Sequence, residues 1–328
     1  MLSRREMLRS AALASVGMPF IARGTFAQDA WPTREIHAIC GFPPGTGADI
    51  FVRHYAKKLQ ESAGKTVIVE NKAGAFGAIA SEYVAKSKPD GYTVFIAPGS
   101  SFLAAAPSMF KKLPFDPIND FEHVTTLSKL PFLLTVAGKS PYKNVSELVA
   151  YLKQQGDKAS YGSLANTGLV SSELFKAQFG LQTVEVKYKD AAAGVNDLIG
   201  SNIVFTHIDP AGAAGFIKEG KIRALATSAA EKFVSLPDIP SAKEAGITNT
   251  NIIAWWSVHT PKGTPKPILD KLEVWFNKIA VDDDTRKFLA LGGSDPFPGN
   301  SAMLKDLLQK DMKAWAGYVK LAKIEPIS

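Results

Sequence analysis

The chain reads as two α/β domains, and three observations carry that expectation. Short apolar or β-branched runs alternate with amphipathic stretches of roughly 8–14 residues, the pattern of βαβ units and parallel sheets. There are more of these units than one small sheet holds. The length, 328 residues, points to two domains at about 100–200 residues each. Composition agrees: 46% hydrophobic and 21% charged residues exclude wholesale disorder, collagen and coiled coil. Cys40 is the single cysteine. An intrachain disulfide, a four-cysteine zinc site and a CxxC redox pair are therefore ruled out. No apolar run reaches the ~18 residues of a spanning helix.

Residues 1–27 are set aside before the fold. Ser3-Arg4-Arg5-Glu6-Met7-Leu8 is a twin-arginine pattern, and an apolar stretch over 11–21 follows. Arg23 and Thr25-Phe26-Ala27 come next, with small residues where a signal peptidase reads. This is the layout of a cleaved export signal. An amphipathic surface helix is the alternative, and Gly17 and Pro19 weaken it. Cleavage removes four arginines and Glu6, lowering the formal charge from +7 to +4. So small an excess predicts no nucleic-acid partner and no stable membrane insertion, and it is compatible with an anionic ligand.

In the mature chain Ile36-His37-Ala38-Ile39-Cys40 predicts a strand. The Gly/Pro loop 41–49 follows, then a helix carrying Ile50, Phe51, Tyr55 and Leu59 that ends near Gly64. The cycle repeats as strand 66–69, loop 74–77 and helix 79–85. After the Pro89-Asp90-Gly91 turn come strand 92–97 and loop 98–101. Asn144 with Glu147 forms a capping box for a helix that Gly156 stops. Strands over 160–163, 184–188, 203–208 and 222–227 alternate with helices over 172–179, 192–199 and 211–219. The tail differs: a strand over 255–260, then helices opened by Thr264-Pro265 and over 282–291 and 303–322.

The most informative loop is 41–49. Glycines let a backbone approach a ligand closely. The following helix offers unpaired N–H groups and a positive dipole end, an anion site needing no cationic side chain. A plain strand–helix turn is the other reading. No Gly-Lys-Ser/Thr follows, so it is not a P-loop, and Ile50 stands where a dinucleotide fingerprint needs its third glycine. Three loops at strand C-terminal ends carry small or hydroxyl residues: Thr46-Gly47, Ser100-Ser101, and Ser163 through Asn166-Thr167-Gly168. Ligands of open α/β sheets bind outside such strand ends, and hydroxyl and amide donors suit a carboxylate.

Signals of catalysis are poor. The chain has no Gly-x-Ser-x-Gly elbow and no HExxH. His37, His54, His123, His207 and His259 lack metal spacing, so no metal site and no cofactor are expected. His207 ends a strand beside Asp209-Pro210, where core packing and ligand contact both remain open. Cys40 reads as a small buried hydrophobe, Trp255-Trp256 as core or hinge packing, and Asp282-Asp283-Asp284 as a helix-capping turn.

A set of motifs in fixed order then resembles one family. They are Trp31-Pro32, Phe42-Pro43-Pro44-Gly45-Thr46-Gly47-Ala48-Asp49, Val69-Glu70-Asn71-Lys72-Ala73-Gly74-Ala75 and Pro89-Asp90-Gly91-Tyr92-Thr93. Leu113-Pro114-Phe115-Asp116-Pro117, Tyr188-Lys189, Gly220-Lys221-Ile222-Arg223-Ala224-Leu225-Ala226, Leu236-Pro237-Asp238-Ile239-Pro240 and Pro261-Lys262-Gly263-Thr264-Pro265 continue it. Together they resemble the Bug family, the periplasmic solute receptors of tripartite tricarboxylate transporters, over essentially the whole mature chain.

The resemblance implies a two-lobed, type II-like periplasmic binding protein. It divides the chain into lobe one, 31–129 plus 255–328, and lobe two, 130–254, with crossings near Leu130 and Ala254. It implies a periplasmic monomer that binds without turnover, captures a small carboxylate between the lobes and passes it to permease subunits in the membrane. Phe42, Pro44, Thr46, Gly47, Ala48 and Asp49 match the family's first-lobe ligand loop. Ser163, Asn166 and Thr167 lie in its second-lobe loop, here about two residues shorter than usual. Many relatives place a Phe-Asp pair at the end of the strand matching 203–208. Here Thr206-His207-Ile208-Asp209-Pro210 moves the acid by one position. With Ile208 in that place a ligand ammonium would lose its partner, so a dicarboxylate or an aromatic acid is expected ahead of an amino acid. Phe102, Leu164 and Ile208 would be apolar walls, and Ser100, His207 and Asp209 polar contacts. A ligand sensor serving a signalling partner, or a secreted hydrolase using Ser100 or Ser163, are the competing readings.

Overall fold

The computed structural model describes residues 31–188 and 191–327. The signal segment 1–27 and Lys189 of the Tyr188-Lys189 motif lie outside the described residues.

The first sheet takes strands β1 (Ile36–Cys40), β2 (Val67–Asn71), β3 (Thr93–Ala97), β4 (Phe121–Pro131), β10 (Ile253–Pro261) and β11 (Asp295–Pro296), ordered β11-β4-β10-β3-β1-β2. The second takes β5 (Leu133–Ala137), β6 (Ser160–Ser163), β7 (Val184–Lys187), β8 (Phe205–Ile208) and β9 (Ile222–Thr227), ordered β7-β6-β8-β5-β9. The helices are α1 (Gly47–Ala63), α2 (Ala78–Ala85), α3 (Ala106–Met109), α4 (Val145–Gln155), α5 (Asn166–Phe179), α6 (Ala191–Gly200), α7 (Pro210–Lys218), α8 (Lys266–Ala280), α9 (Asp283–Leu291) and α10 (Ser301–Leu321).

Each sheet is mixed, not parallel throughout. β1 pairs in parallel with β2 and β3, and β6 with β7 and β8. β10 runs antiparallel to β3 and β4, and β5 antiparallel to β8 and β9. The reversed strands are those next to passages between the sheets. β4 leads through Phe132 directly into β5, and β10 returns from the second sheet to the first. Both crossings lie side by side, with Leu130 opposite Ala254 and Pro131 opposite Ile253.

Alternation along the central strands builds a core on each face of the first sheet. Ile36, Ala38, Cys40, Val94 and Ile96 meet α1 and α8 through Val52, Tyr55, Leu59, Leu272 and Phe276. Ile39, Phe95 and Ala97 face the other way and meet Leu304, Leu308 and Trp315 of α10. The second sheet buries Leu134, Val136, Tyr161 and Phe205 on one side, and Leu133, Val195, Leu198 and Ile208 on the other. Ala322 and Ile324, just after α10, pack against both a first-sheet and a second-sheet core.

Local chemistry explains most element ends. Thr46 caps α1 by accepting from the Asp49 N–H, and Gly64 closes it at φ 64°. Asn144 caps α4 through the Glu147 N–H, and Asp282 caps α9 through the Thr285 N–H. Trp255 and Trp256 are both buried, and Trp256 stacks on Phe51 at 4.2 Å between centroids.

Candidate functional site

In each sheet one strand sits between neighbours whose connections run in opposite directions: β1 between β2 and β3, and β6 between β7 and β8. The loop leaving the C-terminal end of such a strand is where open α/β sheets hold ligands. Those loops are 41–46 and 164–165, and both reach one cavity of about 670 Å³.

Gly41, Phe42 and Pro43 line that cavity with Gly74, Phe76 and Gly77 after β2, and with Ser101, Phe102 and Ala105 after β3. Met109, Phe110 and Trp315 close it from the same side, and Leu164, Ala165, Asn166 and Thr167 face them from the second sheet. None of the lining residues is charged. Phe42 stacks on Phe102 with ring centroids 4.9 Å apart. Phe102 is held by close backbone approach: a Cβ on Gly41 would fall 2.3 Å from its ring, and one on Gly77 2.4 Å.

Two helix starts frame the loops. The N–H groups of Thr46, Gly47 and Ala48 have no hydrogen-bond partner among the described residues. At α5 the feature is stronger, because Ala165 supplies no side-chain cap. The N–H groups of Asn166, Thr167 and Gly168 are likewise unpartnered among the described residues. A Cβ on Gly168 would lie 2.4 Å from the His207 carbonyl oxygen, so α5 begins directly against the end of β8. The Asn166 amide meets the Met109 sulfur across the cavity at 4.0 Å. An uncapped fourteen-residue helix opening onto an uncharged cavity attracts an anion through its N–H groups and dipole.

Other candidate residues are occupied by their own chain. Asp49 is buried and receives hydrogen bonds from Arg53 Nε (2.8 Å), Asn71 Nδ2 (2.8 Å) and Gly45 N (2.9 Å). The Arg53 hydrogen bond, with those of Asn71 and Gly45, holds its carboxyl down at about 2 despite burial. Asn71 also donates to the Phe42 carbonyl oxygen, so this cluster shapes the loop. Ser100 accepts from the Trp255 N–H at 3.2 Å. It borders a narrow gap with Asp311 that shares Thr167 and Trp315 with the main cavity, and Ser100 itself does not line that cavity. Ser163 donates to Glu185 at 2.6 Å in a neighbouring hollow of about 580 Å³.

His207 is buried, shares a hydrogen bond with Ser172 Oγ at 2.9 Å, and burial depresses it to about 3. Asp209 caps α7 through the Gly212 N–H at 2.8 Å. Ile208 lies in a second-sheet core. Neither His207, Ile208 nor Asp209 lines the cavity, whereas Phe102 and Leu164 do. Pro44 is exposed at the loop's outer turn.

Sequence reasoning missed Phe76, Met109, Phe110 and Trp315. Trp315 sits on a helix whose spacing reads as ordinary core. Nothing local to it points to a loop more than two hundred residues earlier. The start of α5 was also missed, since Thr167, Gly168 and Ser171 are weak helix formers.

Ser100 and Ser163 have no histidine partner among their hydrogen bonds. The Ser–His contacts present, Ser172–His207 and Ser257–His259, are buried away from the cavity. Among the described residues no cluster of His, Cys, Asp or Glu could hold a metal, and no helix is long and apolar enough to cross a membrane. An outer hollow is lined by Lys88 and by the ion pairs Arg34–Asp90 and Lys86–Glu82.

The model of the tripartite tricarboxylate transporter family receptor matches residues 51–323. The chain belongs to this family. A UPF0065 protein of Bordetella bronchiseptica is 30% identical over 325 residues, covering 98% of this chain and 94% of its own. Among solved structures, Rhodopseudomonas palustris Rpa4515 with adipate superposes with a TM-score of 0.77 at 30% identity, over 90% of this chain and all of that one. MatC from the same organism, with bound malate, gives 0.72 at 26% identity, over 88% of this chain and 99% of that one. The family architecture is the type II periplasmic binding fold, and the two mixed α/β sheets described above are its two halves. The family is one of transport receptors, not of enzymes.

Proposed function

We propose that the mature chain is a periplasmic solute receptor. It captures a small organic carboxylate between its sheets and delivers it to permease subunits of a tripartite tricarboxylate-type transporter. The observation that carries this reading is the uncapped start of α5 opening onto an uncharged cavity. A carboxylate there accepts hydrogen bonds from the N–H groups of Asn166 to Gly168 and needs no cationic side chain. The adipate- and malate-bound relatives support the ligand class.

The residue roles divide. Phe42, Asn166 and Thr167 contact the ligand, and Thr46, Gly47 and Ala48 present the first-lobe amides as the lobes approach, with Pro44 fixing the turn that leads to them. Asp49, Ser100, Ser163, His207 and Asp209 hold the loops and strand ends. Asp209 is spent on capping α7, which supports acids without an α-amino group, dicarboxylates or aromatic acids, ahead of amino acids. The division into lobe one, 31–129 plus 255–328, and lobe two, 130–254, is supported by strands β5–β9 forming one sheet and the rest the other. Residues 1–27 act as a cleaved twin-arginine-type signal, and the receptor works as a monomer.

A thermal-shift screen of residues 28–328 against mono-, di- and tricarboxylates, aromatic acids, amino acids and sugars tests this. One carboxylate class should raise the melting temperature, with ~2.7 kcal/mol of stabilisation at a hundred times its Kd. No shift from any acid, with no small molecule released on denaturation, overturns the proposal.

A further inference from the structure

Four consecutive residues at the cavity mouth hold positive φ: Gly74 (126°), Ala75 (45°), Phe76 (49°) and Gly77 (87°). Glycine adopts such angles freely, whereas Ala75 and Phe76 do so against the clash of Cβ with the backbone. Phe76, with ψ 38°, is fully left-handed. The residue is 63% exposed, so core burial does not offset the strain. The turn is fixed at both ends. The Gly77 N–H donates to the Gly74 carbonyl oxygen at 3.0 Å, and Gly77 abuts the Phe102 ring. A bulky residue held in this conformation at a binding cavity is a pointer to function.

The Phe76 ring borders two hollows that share Leu164, Ala165 and Asn166 on the opposite side. Their chemistry differs. The larger has no charged lining residue, and Phe102, Phe110 and Trp315 furnish its walls. The smaller is lined by four charged residues, Glu185, Lys187, Lys323 and Glu325. Phe76 stands on the boundary between them.

Resting on the carboxylate-receptor reading above, we infer that Phe76 is a specificity-determining gate for an acid with a flat, apolar body of aryl size. The acid's carboxylate sits at the start of α5. Its body lies among the aromatic walls, where offset or edge contacts with the ring faces favour an aromatic group. The Phe76 ring closes that chamber and separates the body from Glu185 and Lys187. A short dicarboxylate has no apolar body to present and gains nothing from the ring.

The test is isothermal titration calorimetry of the mature wild type, F76G and F76Y with benzoate and succinate. Glycine suits the left-handed position, so F76G should melt no lower than wild type. Wild type should prefer benzoate. F76G should lose about tenfold or more in benzoate affinity while succinate changes less than about threefold, and F76Y should keep benzoate within about threefold. Unchanged benzoate affinity in F76G, equal losses for both acids, or a wild-type preference for succinate overturns the gate and leaves the receptor reading standing. A ligand-free wild type that binds no acid of the wider screen overturns both.

Discussion

Replacing Asp49 by asparagine removes a charge that the structure uses to set the shape of the loop over 41–49. The side chain is only 2% exposed, and its main partner, Arg53, is about half exposed. The carboxyl sits at about 2 against an ordinary 3.8, a difference worth about 2 kcal/mol in favour of the ionised folded form. Screening at the Arg53 end trims this to about 1–2 kcal/mol. The asparagine amide would also point donor hydrogens at Arg53 or Asn71, which are themselves donors. At roughly 2–4 °C per kcal/mol for larger domains, D49N should melt several degrees below wild type at pH 7. A folded pKa below the unfolded one gives stability that is present above about pH 3.8 and disappears as pH falls through about 2. The gap between the two proteins should therefore be flat from pH 8 to 5. Calorimetric melting at pH 8, 7 and 5 measures it, and titration with the ligand found by screening gives the affinity, which should fall only a few-fold. An unchanged melting temperature together with abolished binding would refute the reasoning, because Asp49 would then be touching the ligand and not holding the loop.

Three further outcomes are expected. G77A forces a side chain into a left-handed position and 2.4 Å from the Phe102 ring; it should lose about 2–4 kcal/mol by urea denaturation, and a loss below about 1 kcal/mol would contradict the clamp. Burial holds His123 at about 4, His207 at about 3 and His259 well below 6.5, so each is neutral when folded. Their folded pKa values lie below the unfolded one, so stability is full above about pH 6.5 and falls as pH drops; Asp311, raised to about 6, opposes this. Urea unfolding at pH 8 and pH 5 should show the lower stability at pH 5. D311N keeps an acceptor for Trp255 Nε1 (2.7 Å) while removing the buried charge, and should gain about 1–2 kcal/mol at pH 8, a gain that shrinks as pH falls below about 6 and vanishes only below about 3.8; a loss at pH 8 would show that the Asp311 charge is needed.

Much of this fold is legible in the sequence where one residue type decides a local outcome. Ile222 to Thr227 form a strand because their pattern suits a pleated sheet, and Asn144 starts a helix because its side chain meets an orphan N–H. The strand over 121–131 was not legible. Its polar residues are buried through distant partners: Thr125 donates to Asn277, and Thr126 to the Phe297 carbonyl oxygen. No local pattern announces such contacts. The candidate site divides in the same way. The glycine loop was visible as a place where backbone amides open onto a strand end, and Asn166-Thr167 as hydroxyl and amide donors at the end of another strand. His207 and Asp209 carried suggestive chemistry, yet the first is sealed against Ser172 and the second is used up as a cap. Sequence shows which groups could bind a ligand. Packing decides which of them are still free to do so.

The adjacent crossings at Leu130 and Ala254 have a thermodynamic consequence. Two separate linkers would each gain conformational entropy as the halves moved apart. A hydrogen-bonded ribbon stays ordered when it bends, and its backbone pairs survive the motion. Open and closed arrangements of the proposed receptor would then differ little in backbone energy. The balance between them is left to whatever touches both halves at once, so a small acid spanning the gap has leverage over the posture of the whole protein.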